Sequence, residues 1–201
     1  VRGLTDGGAE LAHGDVWQAA GHGAPRPWRN GAPVEYLTAL RTLFIPIPQP
    51  GAIWTRALWE RTGGLNPRWV CVLDRDFFVR AGLVGRFLYV PGAVAVSRMH
   101  PDTKSSALAQ RWLVEMPAMY KAFFRRPDLP AQVRSLERET MYAVWQGCAS
   151  LARQCDRPSW PLTLTAGWAS PRRFLRDQLR CLRERRPAKA PQGDSAADRK
   201  G

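Results

Sequence analysis

The chain has 201 residues, 45% of them hydrophobic and 23% charged, ordinary values for a protein that folds around one core. No apolar run approaches the roughly 18–20 residues a spanning helix requires, and the opening VRGLTDGGAELAHGD lacks the apolar stretch of a secretory leader. The net charge of +13 comes mostly from arginine, the lysines being Lys104, Lys121, Lys189 and Lys200; it permits attraction to nucleic acid, anionic lipid or a phosphorylated substrate without choosing among them.

Residues 1–33 are rich in Gly, Pro, His and Ala and predict little regular structure beyond a short strand around Val16 and Trp17. Val34, Leu37 and Leu40 have the spacing of a short helix over 34–41. In TLFIPIPQPGAIW, residues 42–54, the prolines remove amide donors and push their neighbours out of helix, which predicts edge strand or loop. Thr55 is the expected N-cap of a helix through Arg61, stopped by Gly63 and Gly64. DRDFFVRAG predicts a helix from about Asp74 to Gly82, and FLYVPGAVAV two short strands around a Pro91–Gly92 turn.

From Lys104 onward the pattern is helical. Leu108, Trp112, Met116, Met119, Tyr120 and Phe123 recur at helical spacing, with Pro117 predicting a kink. A second helix opens near Pro130 and carries Val133, Leu136, Val144, Cys148 and Leu151. A third starts with Ser170 as cap and Pro171 in its first turn, and runs to Arg186. Its leucines, Leu175, Leu179 and Leu182, are expected to pack on the preceding helices, leaving its arginines exposed. Residues 187–201 read as a disordered tail by composition. Cys71, Cys148, Cys155 and Cys181 match no zinc-module spacing and are expected as reduced thiols.

The densest group of reactive side chains is LDRDFFVR, residues 73–80, followed by SRMHPD, residues 97–102. Asp74 and Asp76 stand at a turn entering a helix, whose N-terminal amides stabilise anions. A well-placed carboxylate there can take a proton from an attacking sugar hydroxyl; it can equally serve only as a cap. Trp54, Trp59 and Trp69 could stack on a sugar or fill the core, and core packing is the commoner use.

The order of these elements carries a resemblance. From Phe44 to Ser105 the chain resembles the second half of family 2 glycosyltransferases, through Gln49-Pro50, Gly63-Gly64, Asp74-Arg75-Asp76-Phe77-Phe78-Val79-Arg80 and Arg98-Met99-His100-Pro101-Asp102-Thr103-Lys104. Upstream, Gly14-Asp15 is similar to the family's Tyr-Gly-Asp strand. The resemblance implies that Asp74 is the general base of an inverting transfer and that Leu73 replaces a frequent glutamate. It implies that His100 helps hold a divalent metal, manganese or magnesium, and that Arg98 meets the donor diphosphate; imidazole suits manganese better. The family's metal-binding Asp-x-Asp and nucleotide-recognising half have no counterpart before Asp15, and the chain begins with Val1. The expectation is therefore a truncated chain, inactive alone and only marginally stable, with Phe44, Ile45, Ile53 and Val96 losing part of their cover.

The expected fold is α/β: an incomplete GT-A-like sandwich over 1–104, a helical region over 105–186 and the tail 187–201. Asp74 and His100 are expected to face one pocket. The expected function is transfer of a sugar from a nucleotide-sugar donor to a glycan or lipid-linked acceptor in bacterial surface polysaccharide synthesis. The expected location is the cytoplasm, with an anionic membrane surface as a further partner at its inner face. The alternatives are a degenerate remnant or a basic module binding membrane or nucleic acid, the last disfavoured because no known DNA- or RNA-binding motif is present.

Overall fold

The computed structural model describes residues 8–20, 23–29, 31–43, 45–99 and 108–184. They form a mixed α/β fold in which a small sheet is followed by a helical region. The strands are β1 (Leu11–Ala20), β2 (Arg26–Arg29), β3 (Ala52–Trp54) and β4 (Phe87–Met99). The helices are α1 (Tyr36–Thr42), α2 (Arg56–Thr62), α3 (Leu73–Val84), α4 (Ala109–Phe124), α5 (Ala131–Arg134), α6 (Glu137–Gln154), α7 (Trp160–Ala169) and α8 (Pro171–Glu184).

β1 is the centre of the sheet. Along one edge it pairs antiparallel with β3 through Leu11–His13 and with β2 through Val16–Gln18. Along the other it runs parallel to β4, from Leu11↔Phe87 to Ala20↔Met99. The sequence predicts only a short strand around Val16 and Trp17, and the observed strand has 10 residues. The cause is burial on both faces: Leu11, Ala12, His13 and Gly14 are all buried, so the alternation that marks a half-exposed strand is missing.

β4 also departs from expectation. Pro91–Gly92 does not turn the chain back; it makes a bulge inside one 13-residue strand, where His13 faces Tyr89 and Asp15 already faces Ala93. Gly92 takes φ 115, a conformation L side chains rarely adopt. Gly14 lies beneath the bulge, where a Cβ would come within 2.7 Å of Val94 and 2.9 Å of the Val90 carbonyl. A residue without a side chain is thus required for the two strands to meet there.

α1 is capped by the Glu35 carboxylate, which accepts from the Thr38 amide at 2.7 Å. α2 begins as expected, with Thr55 Oγ1 accepting from the Leu58 amide at 3.2 Å. α3 runs past Gly82 to Val84. The Tyr36 ring lies where a Gly82 Cβ would sit, so this glycine admits an aromatic neighbour and does not stop the helix. The expected helix from Pro130 is two pieces, α5 and α6. α7 was not foreseen: it is apolar on most sides and so carries no helical period.

One apolar core joins the sheet to the helices. Leu11, Leu40, Ile45, Leu58, Phe77 and Phe78 meet Met116, Met119, Tyr120, Phe123 and Val144 in a single buried cluster. Ile45 is therefore well covered, whereas Ile53 and Val96 are about half exposed (48% and 50%). Phe44 lies outside the described residues, as does the tail 187–201. Cys71, Cys148 and Cys155 are thiols, and burial pushes Cys148 up to about 11.

Candidate functional site

The two aspartates at the head of α3 have different surroundings. Asp76 is buried (7% exposed), and its Oδ2 accepts from Arg80 Nη2 at 2.6 Å and Arg80 Nε at 2.9 Å. The same guanidinium donates to the Gly64 carbonyl at 2.7 Å and to the Thr62 carbonyl. Asp76 and Arg80, one helical turn apart, thereby fasten α3 to the Gly63–Gly64 end of α2. Asp76 is committed to structure.

Asp74 is half-buried in the first turn of α3. Its Oδ1 accepts from the adjacent Arg75 amide at 2.8 Å. Among the described residues no ion pair engages it. The Arg75 side chain turns away, donating to the Leu43 carbonyl at 3.1 Å beside the buried Tyr120. Among the described residues, Asp74 is thus the carboxylate of this pair outside an ion pair.

A residue overlooked in the sequence holds this turn in place. Glu115 of α4 is buried, and its Oε2 accepts from the Cys71 amide at 2.7 Å and the Val70 amide at 3.0 Å. Its Oε1 pairs with Arg111 Nε at 2.5 Å. Burial alone would raise the Glu115 carboxyl, but the bonds from Cys71, Arg111 and Val70 outweigh it and hold the group below the usual range. The clamped amides lie three and four positions before Asp74, so Glu115 sets the approach of the backbone to α3. A signal was present: an acid on the apolar face marked by Trp112, Met116 and Met119.

Asp15 is a second anchor. Its Oδ1 accepts from the Gly31 amide at 2.8 Å and the Tyr89 hydroxyl at 2.9 Å, and its Oδ2 from the Gly92 amide at 3.1 Å. The Tyr89 hydrogen bond is the chief reason its carboxyl sits below the usual range. These bonds tie the bulge of β4 to β1 and to the chain after β2. His13, two residues earlier, is 1% exposed and packs against the Tyr89 ring at 5.5 Å. Among the described residues neither ring nitrogen has a hydrogen-bond partner, and desolvation lowers its pKa to about 4 despite the opposing charge of Asp15.

Trp54, Trp59 and Trp69 pack against neighbouring side chains. Trp54 stacks on Trp59, ring centres 6.2 Å apart, and meets Phe77 at 4.9 Å. Trp69 is buried, with Arg68 over its ring at 5.0 Å. Arg98 is exposed near the end of β4, opposite Ala19 of β1. Among the described residues no hydrogen bond or ion pair joins it to Asp74. His100 lies outside the described residues, so the expected shared pocket with Asp74 does too. Among the described residues no three His, Cys, Asp or Glu side chains are grouped to hold a metal ion. His100, the residue expected to help hold manganese or magnesium, is not among them. No family model matches this chain, and no curated protein or solved structure matches it.

Proposed function

We propose that this chain carries the acceptor-side part of an inverting glycosyltransferase with a GT-A-like sheet, and that Asp74 is its general base. The observation that carries the reading is the division of labour between the two aspartates: Asp76 is locked to Arg80 in a buried pair, while Asp74 is half-buried and, among the described residues, held by one local hydrogen bond. The bulged parallel pair β1–β4 supports it as well, since Val94 and Val96 of β4 are about half exposed on a strand that a further layer of structure would cover.

In the proposed reaction an acceptor hydroxyl lies against Asp74. Its oxygen attacks the anomeric carbon of a nucleotide-sugar as the carboxylate takes the hydroxyl proton. The bond from that carbon to the diphosphate breaks on the opposite face, and the nucleoside diphosphate leaves with the electron pair. Configuration inverts because attack and departure use opposite faces. Arg98 is exposed and cationic, suited to the leaving diphosphate. Glu115 acts as a positioning residue through the Val70 and Cys71 amides. A glycan or lipid-linked acceptor in surface polysaccharide synthesis is the substrate class that fits the resemblance.

The test uses the longest expressible protein containing this chain, screened for transfer from a panel of nucleotide-sugars. With an active donor found, Asp74→Asn keeps the shape and removes the base, and turnover falls by roughly 10²–10⁴ with donor binding retained. Turnover within a few-fold of the parent would remove Asp74 from the mechanism. Absence of transfer or hydrolysis with every donor would remove the transferase reading itself.

A further inference from the structure

α7 and α8 expose the largest apolar side chains of the helical region. Trp160, Leu164 and Trp168 stand four residues apart on successive turns of one face of α7, exposed by 67%, 54% and 85%. Leu175 and Leu179 of α8 repeat the pattern and are also exposed, contrary to the expectation that the leucines pack on the preceding helices. The two faces converge, because Leu164, Gly167 and Trp168 share one open apolar cleft with Pro171, Phe174 and Leu175.

The reason lies on the inner side of α8. Arg173 donates to the carbonyls of Arg41 and Glu139 and lies 5.0 Å over the Tyr142 ring. Asp177, one turn on, accepts from the Tyr142 hydroxyl at 2.6 Å. Polar residues thus fix the helix to the body of the protein, and Leu175 and Leu179 are turned outward. Arg172 and Arg176 are exposed and stand three residues before Leu175 and Leu179, so a cationic row borders the apolar one. α7 has no charged residue at all.

We propose that α7 and α8 form an interfacial anchor for an anionic phospholipid bilayer. Trp160, Trp168 and the leucines enter the boundary between headgroups and acyl chains, and Arg172 and Arg176 meet lipid phosphates. Charge decides against a second copy of the chain as the occupant. Apposing this face with itself would bring arginines against arginines, while Asp177 is already engaged by Tyr142. Nucleic acid would leave the tryptophans and leucines in water. A contiguous apolar surface bordered by one sign of charge is the pattern of a lipid-binding face. The proposal is independent of the transferase reading.

The full chain is tested by co-sedimentation with phosphatidylcholine vesicles, with and without phosphatidylglycerol. Binding should be at least about tenfold stronger to the anionic vesicles and should weaken with salt. Each of Arg172→Gln and Arg176→Gln should lower the partition coefficient about fivefold. Trp160→Ser with Trp168→Ser should lower it at least about tenfold, with the circular dichroism spectrum unchanged because both side chains are exposed. Failure to bind, equal binding to neutral vesicles, or indifference to both sets of variants would overturn the proposal. So would a lipid-free dimer that the tryptophan variants dissolve, which would make the face an interface between copies, or duplex DNA binding that survives loss of the tryptophans.

Discussion

His13→Leu should make the protein less sensitive to mild acid. The His13 ring is buried in the middle strand, against Tyr89, with neither nitrogen bonded among the described residues. Its folded pKa of about 4 lies below the ordinary histidine value of 6.5 because desolvation penalises the cation. Above about pH 7 both folded and unfolded chains hold the neutral ring, and His13 contributes nothing to pH dependence. Below 6.5 the unfolded chain takes up a proton that the folded chain refuses, so stability falls until the pH reaches the folded value near 4. Between pH 7 and pH 5 the linkage amounts to about 2 kcal/mol, and to about 3 kcal/mol when complete. The carboxylates held low, Asp15 and Glu115, add their own loss only at lower pH. Urea unfolding of the parent and the variant at pH 7 and pH 5 isolates the effect. At pH 7 the variant should be as stable or more so, since leucine has no polar atoms to leave unbonded. At pH 5 it should have gained about 2 kcal/mol over the parent. A parent and variant that lose stability in parallel over this range would refute a neutral, unbonded His13.

The two aspartates of α3 should separate in the same assay: Asp76→Ala strands the Arg80 guanidinium in a buried site and should cost about 3–5 kcal/mol, while Asp74→Asn should cost less than about 1 kcal/mol. Equal losses would undo the division of roles on which the proposed function rests. Glu115→Gln should cost about 1–3 kcal/mol at pH 7. Its folded carboxyl lies below its unfolded value, so this contribution is present above the ordinary carboxylate range and lost as pH falls through the folded pKa; unfolding measured at neutral and strongly acidic pH should show parent and variant converging. Gly14→Ala should destabilise by at least about 1–3 kcal/mol in thermal unfolding, because the new methyl meets the Val90 carbonyl backbone and the Val94 side chain.

Much of the local structure was legible in the chain because short-range chemistry writes it there. Thr55 and the Gly63–Gly64 pair bound α2, Pro171 opens α8, and the spacing of Trp112, Met116 and Met119 marks the buried side of α4. Asp74 and Asp76 were both visible at a helix entrance, yet the sequence treats them as equals. Only the packing of α3 on α2 separates them, by placing Arg80 and the Gly64 carbonyl beside one and not the other. Glu115 was hidden for the same reason, since its partners at Val70 and Cys71 are 45 and 44 residues away. β1 could not be read because a central strand covered on both faces shows no alternation. Pro91–Gly92 could not be told from a hairpin because the same dipeptide serves a bulge when a parallel neighbour holds it. The outward turn of Leu175 and Leu179 was likewise decided by Tyr142, which claims Asp177 and Arg173 for the inner face. Capping, period and helix limits depend on neighbours within a turn or two, and the sequence alone determines them. Which carboxylate is locked into a buried ion pair, and which apolar face stays bare, depends on contacts between distant segments that exist only once the chain has folded.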